Sequence, residues 1–303
     1  MGSSVMLKKA VSIALALSMG AGCANEPLSV AQEKQIGDAE QQRIRRNSTL
    51  LRDRVVVTYV RKLGAELSKS SPPSPYDLRF YVVEDESLNA FAIPGGSIYV
   101  NTGLILKCAS RAELAGVLAH EIGHVTERHI ARSYEKSVNT GFFARMFAFI
   151  IGIVTGNRYS RNAGDLAVAL GATAYMATFS RDYEREADKV AVETLIRADY
   201  DPNALMSFFD TLMKESPRSG TPQFLSTHPA TKERIDSVKS MIAAESKLGD
   251  RNTQDDKLAA IQKRIELIQG MGDDKNDEAD DEADDEEGGA AKPAPKPSSK
   301  SKP

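Results

Sequence analysis

Apolar residues recur at helical spacing through the first part of the chain, at Ile36, Ile44, Leu51, Val55, Tyr59, Leu63 and Leu67, which predicts helix across residues 28–70. Ser70-Ser-Pro-Pro-Ser-Pro75 ends it. The pattern then changes. Leu78 to Val83 is β-rich, Phe91-Ala-Ile93 is a short run stopped by Pro94, and Ser97 to Asn101 is a third strand candidate. Gly95-Gly96 supplies a tight turn between the last two. Ser110-Arg-Ala-Glu113 matches a capping box, so a helix is expected from there to about Ser133. Leu166 to Phe179 is apolar and Ala-rich, and Ser180 to Ala198 reads as an amphipathic helix. Asp201-Pro202 opens another helix through Leu212, Thr221 to Pro229 is a loop, and Thr231 to Ala244 and Lys257 to Ile268 are the last helices. There is no internal repeat. The fold class is α+β: one mostly helical domain with a small sheet.

Composition changes this picture only at the ends. The 303 residues are 41% hydrophobic and 27% charged, enough for a real core. Met1 to Gly22 pairs Lys8 and Lys9 with about ten apolar residues, a secretory leader too short to span a bilayer. Gly20-Ala21-Gly22-Cys23 resembles a bacterial lipobox without its usual Leu, which makes Cys23 the expected lipidation site. Residues 271–303 hold 11 acids and 5 Lys and are expected to be a disordered acidic, then Lys/Pro-rich, tail. The tail carries −6 and the leader +2 of a net −3, which leaves residues 23–270 at +1. Nothing in that balance points to nucleic acid. The expected organisation is leader 1–22, working domain 23–248, C-terminal helix 249–270 and tail 271–303. Phe142 to Gly156 is apolar but short, better suited to an interior or lid helix than to a membrane span.

The chemistry lies in a scarce residue. The chain has four His, and three of them fall within ten residues: His120, His124 and His129. His120-Glu121-Ile-Gly-His124 sets two imidazoles one turn apart on one helical face, where both can reach one Zn²⁺, with Glu121 placed to handle the proton of a water. A third ligand is needed. The metzincin positions hold Glu127 and Ile130, and His129 lies about 140° round the helix from His124, so it is expected at the surface. Ser180-Arg-Asp-Tyr-Glu184-Arg-Glu186-Ala-Asp188 is the better donor. Glu184 is the candidate ligand, and Asp188, one turn on, the candidate acceptor for a ligand His ring N–H. Glu186 is read as a surface charge.

Asn89-Ala-Phe-Ala-Ile-Pro-Gly-Gly-Ser-Ile-Tyr-Val-Asn-Thr-Gly-Leu104, the segment Glu113 to His124, and Glu184-x-Glu-Ala-Asp188 together resemble the HtpX/CAAX-protease-type gluzincin family, in its periplasmic BepA/LoiP-like lipoprotein branch. The resemblance covers roughly residues 30–245. It implies a zinc endopeptidase with one Zn²⁺ on His120, His124 and Glu184, and with Glu121 as acid/base. It also implies a role in quality control of unfolded or misassembled envelope and outer-membrane proteins. Two departures are visible: HtpX-type members carry transmembrane helices, and BepA-type members carry a helical-repeat domain where about 60 largely polar residues follow Ala244 here. The single-domain lipoprotein type fits best, and Ala24 after Cys23, where Asp is absent, implies by resemblance to other bacterial lipoproteins an outer-membrane setting facing the periplasm. Asn89, Ala90, Phe91 and Ala92 form a candidate edge strand for an extended substrate.

His228, in Ser226-Thr-His-Pro-Ala-Thr-x-x-Arg234, keeps three readings: an oxyanion donor, a ligand that fills the open zinc position in a latent state, or a capping His. Pro229 is expected to set the first turn of the following helix, and Arg234 to be a salt-bridge partner. Two rival function classes remain, a chaperone-like binder with a latent zinc site and a structural zinc protein.

Overall fold

The computed structural model describes residues 28–138, 181–219, 222–245 and 256–281, with side chains at 28–133, 181–215, 222–245 and 257–270. The leader, Cys23, Phe142 to Gly156, Leu166 to Phe179 and the chain beyond Asp281 lie outside these residues. The chain divides into two compact units, residues 1–262 and 263–303.

The predicted 28–70 helix is two helices, α1 (Val30–Asn47) and α2 (Arg54–Ser70). The reason is local. Ser29 and Gln32 form a capping box on α1, and the Asp53 carboxylate accepts the Val55 and Val56 amides to start α2 afresh. The intervening segment is extended beside the first strand, with Leu50 bridging Val83 and the Leu51 amide donating to the Val82 carbonyl at 2.9 Å.

The sheet has three strands, β1 (Arg79–Val83), β2 (Ala90–Ile93) and β3 (Ser97–Asn101), in the order β1-β3-β2. β1 runs parallel to β3, and β2 antiparallel to it. Gly95 and Gly96 take φ of 81° and 90°, the left-handed backbone that the hairpin turn requires. Tyr81 and Phe91 both stack on Tyr99 at 5.0 and 5.1 Å, a cross-strand ladder that fixes register. Among the described residues β2 is an edge strand.

After a short α3 (Thr102–Lys107) comes the central helix α4 (Arg111–Thr126), buried continuously from Ala112 to Val125. The Ser110 hydroxyl accepts the Glu113 amide, as a capping box requires. Glu113 reaches back one residue further than the motif predicts, to the Ala109 amide at 2.8 Å, and also accepts from Ser207. α4 packs against α2, β2, α6 (Arg181–Arg197) and α7 (Asn203–Ser219). Gly123 is what lets α6 approach, since a Cβ there would lie 2.9 Å from Ala187 Cα.

The predicted run to Ser133 is also interrupted. α4 ends at Thr126, Arg128 takes φ of 53°, and α5 (His129–Val138) starts in a new direction. Arg128 then binds the buried Glu33 and the Leu28 carbonyl, which ties this corner to α1. At the start of α7, Asp201 accepts the Asn203 amide at 2.9 Å, a cap at the predicted place, but the helix continues past Leu212 to Ser219. The predicted 221–229 loop contains a short helix, α8 (Gln223–Thr227), and α9 (Lys232–Ala244) follows under a Thr231 cap, not under Pro229. α10 (Asp256–Asp281) is longer than the composition suggested, since helical backbone extends into the acidic segment. Gln262 donates to the carbonyls of Ile105, Leu106 and Cys108, which satisfies orphan acceptors at the end of α3. Among the described residues no helix is long and apolar enough to cross a membrane. The architecture is α+β, mostly helical, with the small sheet against α4.

Candidate metal centre

α4 delivers His120, Glu121 and His124, α6 delivers Glu184 and Asp188, and the α8–α9 corner delivers His228 and Arg234. All seven are at most 2% exposed. His120 Nε2 lies 3.1 Å from His124 Nε2, 3.3 Å from His228 Nδ1 and 3.4 Å from Glu184 Oε2. His124 Nε2 lies 3.5 Å and His228 Nδ1 3.0 Å from Glu184 Oε1. One donor atom from each of the four residues falls within 4.8 Å of the others.

These separations are themselves a test of what the cluster fits. Zinc–nitrogen and zinc–oxygen bonds of about 2.0–2.2 Å in a tetrahedron put ligand atoms about 3.3–3.6 Å apart. The observed separations of 3.0 to 3.5 Å, in which the imidazoles meet both oxygens of Glu184, have that scale. Three ring nitrogens and a carboxylate facing one another in a dry pocket also leave a polar atom unanswered. Glu121 Oε1 is buried with no hydrogen bond, and Glu184 Oε2 is buried beside the Arg234 guanidinium and the His120 ring. A divalent cation fits those separations, and a donor set of imidazole and carboxylate, whose protons the metal displaces on binding, suits zinc.

Charges around the cluster are strongly biased. Burial pushes the Glu121 carboxyl up, against the pull of His228, His120 and the Ala92 amide. Burial also opposes ionisation of Glu184, but His228, His120 and His124 outweigh it and hold that carboxylate well below its ordinary range. Burial alone would discharge His120; its contacts with Asp188 and Glu184 instead pull it up to about 9.

Asp188 sits where the spacing predicted, with Oδ1 3.1 Å from His120 Nδ1. Arg234 does more than pair with one acid. Its Nε and Nη2 grip both Asp188 oxygens at 2.8 and 2.7 Å, and its Nη1 lies 2.8 Å from Glu184 Oε2 and donates to the Pro229 carbonyl. His228 is the C-cap of α8 and not the entrance of α9; its amide donates to the Phe224 carbonyl at 2.7 Å. The candidate substrate segment lies alongside. Asn89 is buried just before β2, Ala90 to Ala92 are in it, and the Ala92 amide faces Glu121.

One sequence reading is overturned. His129 is not at the surface: it is fully buried, with Nδ1 2.9 Å from His124 Nδ1. The left-handed turn at Arg128 breaks the continuous helix on which the 140° offset was counted. Glu186 is a surface charge, its side chain 39% exposed, and it binds both Arg132 and His129. No Gly or Pro marks that turn, so the sequence held no signal for it.

The model of peptidase family M48 matches residues 52–242. A putative β-barrel assembly-enhancing protease of Vibrio cholerae is 35% identical over 220 residues, 70% of this chain and 44% of the relative. The β-barrel assembly-enhancing protease of Escherichia coli is 30% identical over 216 residues, with the same shares covered. The mitochondrial metalloendopeptidase OMA1 of Schizosaccharomyces pombe is 29% identical over 185 residues, 61% of this chain and 52% of the relative. The chain thus spans about half the length of these relatives or less. With nearly two-thirds of its length inside the family match, and the buried His120-Glu121-x-x-His124 helix and Glu184 within that span, the chain belongs to the metallopeptidases of family M48.

Proposed function

We propose that the chain is a zinc-dependent endopeptidase that cleaves unfolded or misassembled proteins of the bacterial envelope, with His120, His124 and Glu184 as metal ligands. The observation that carries this is the buried cluster of four donors, one atom from each within 4.8 Å of the others, with Glu121 against it. When bound, zinc supplies a Lewis acid that polarises the scissile carbonyl and makes water nucleophilic at neutral pH. Glu121 takes the proton from the attacking water and returns it to the leaving amine, a task suited to a carboxyl that burial has pushed up. Asp188, itself gripped by Arg234, orients the His120 ring. The outer edge of β2 faces Glu121 at Ala92, so an extended substrate laid along Asn89 to Ala92 passes the acid/base.

His228 is assigned as the fourth donor of a closed, latent site. Its Nδ1 is inside the donor set, and four protein ligands leave no open position. This also supports the second reading, a chaperone-like binder whose metal site is mostly latent. Digestion of an unfolded casein-type substrate tests both. Chelator is expected to abolish cleavage and zinc to restore it, while activity that ignores chelator would sink the proposal. His228→Ala is expected to raise cleavage in the same assay. If His228 instead served the oxyanion, the change would be a loss of about 10²–10³-fold.

The family relatives named for β-barrel assembly support an envelope setting, and the leader and Cys23 support a lipid anchor at the outer membrane facing the periplasm. Membrane fractionation checks the anchor: Cys23→Ser should release the chain from the membrane pellet, and its retention there would remove Cys23 from that role.

A further inference from the structure

Next to the donor cluster, four side chains are joined in series: His124, His129, Glu186 and Arg132. His124 Nδ1 meets His129 Nδ1 at 2.9 Å. His129 Nε2 meets Glu186 Oε2 at 3.1 Å. Glu186 in turn is held by both terminal nitrogens of Arg132, at 2.5 and 3.2 Å. Tyr183 stacks on the His129 ring with centroids 4.6 Å apart and planes 13° from parallel, and the Arg132 guanidinium lies 4.6 Å from the Tyr183 centroid. His129 is fully buried, whereas the Glu186 and Arg132 side chains are near 40% exposed. The series therefore runs from the surface to a ring of the cluster.

The chemistry of the contacts leaves one arrangement of hydrogens. A carboxylate only accepts, so His129 Nε2 must carry a hydrogen toward Glu186. In a neutral ring that leaves His129 Nδ1 as an acceptor. The 2.9 Å contact then needs its hydrogen from His124 Nδ1. A neutral His124 with Nδ1–H has a bare lone pair on Nε2, the atom that faces His120 and Glu184. The reverse arrangement sets a His129 lone pair against Glu186 and puts a hydrogen on the His124 atom that must bind metal.

We infer that His129 is a positioning residue. It locks the His124 ring and its tautomer with Nε2 aimed at the metal locus, and it transmits to that ring the orienting effect of the Glu186–Arg132 pair. The inference rests on the reading of His124 as a ligand. It makes the two imidazoles of α4 differ in how they are held: a carboxylate, Asp188, approaches His120 directly, whereas one reaches His124 through a second imidazole. Glu186 leaves α6 about 200° round from Glu184, so it cannot reach His124 without that spacer.

The test uses the full chain, whose four histidines keep a two-bond ¹H–¹⁵N spectrum readable. His129 is expected as the Nε2–H tautomer. In competition with a chromophoric chelator, His129→Phe should weaken zinc binding by about 10–100-fold, the usual effect of losing a ligand's orienting partner. His129→Asn, with an amide oxygen near the lost Nδ1, should recover part of that. Glu186→Gln changes a half-exposed side chain, so it threatens the fold least; it should weaken zinc binding several-fold and shift the visible absorption of the cobalt-substituted protein. An Nδ1–H tautomer at His129, or wild-type zinc affinity in both the Phe and Gln variants, would overturn the inference. A wild-type chain that binds no zinc would instead remove the ligand reading, and this inference with it. If the Phe variant fails to fold, the tautomer and Glu186→Gln still decide.

Discussion

Glu121→Gln is expected to keep zinc and fold while peptide hydrolysis falls by about 10²–10⁴-fold, the range for loss of a general acid/base. The side chains are nearly isosteric, and Glu121 is 1% exposed, so Gln fills the same space without a cavity. What changes is proton chemistry. Glu121 Oε1 has no hydrogen-bond partner and lies 3.5 Å from His228 Nε2, at the edge of the donor cluster and outside the set of four. Burial has already raised the cost of its charge, which is the condition for a base that takes a proton and gives it up again. An amide does neither. Zinc content by atomic absorption and casein-type digestion on the same sample separate the roles. Loss of zinc would make Glu121 part of the binding set, and undiminished digestion would remove it from the chemistry.

Arg234→Leu should give the largest stability loss, about 3–5 kcal/mol, as when one partner of a buried ion pair is removed. Arg234 is 2% exposed and is the cation that Asp188 and Glu184 share, both also buried. Taking it away strands two carboxylates in a dry site and frees the Pro229 carbonyl. Urea denaturation should show a lower midpoint at an unchanged slope. Arg234→Lys should recover only part, because one ammonium cannot reproduce a fork that grips both Asp188 oxygens and reaches Glu184. A loss below about 1 kcal/mol in the Leu variant, the scale of an exposed pair, would mean that the pocket is wetter than its burial indicates.

These two residues were unequally visible in the sequence. Glu121 could be picked out because its neighbours are fixed by helix geometry: His120 and His124 share a face through one turn of α4, and a helix keeps that relation wherever it packs. The Glu184–Asp188 pair was legible for the same reason, one turn on α6. The three strands and the Gly95-Gly96 turn were legible because strand runs and turn residues are local. Arg234 was visible only as a salt-bridge partner. That it closes on Asp188 and Glu184 depends on α9 packing against α6, which no spacing within 228–234 encodes. The split of the first helix had a local sign, Asp53 as a new cap, which the apolar periodicity running through it concealed. The turn at Arg128 had no sign at all, and His129 was misplaced with it.

By itself the sequence determined which donor groups this protein carries and how they are phased. It held two imidazoles and a glutamate on one helix, an acidic pair on another, and a His-Pro corner beyond, because donor types and their phase along a helix are properties of the chain. Only the tertiary structure decided how those pieces meet. Packing of α6 onto α4 across Gly123 brings Glu184 to the two histidines, and the α8–α9 corner brings His228 into the same cluster. One left-handed residue at 128 turns His129 inward against His124. Helical phase is fixed locally, but convergence of separate elements on one point is fixed by burial of their apolar faces, which the chain settles only as a whole.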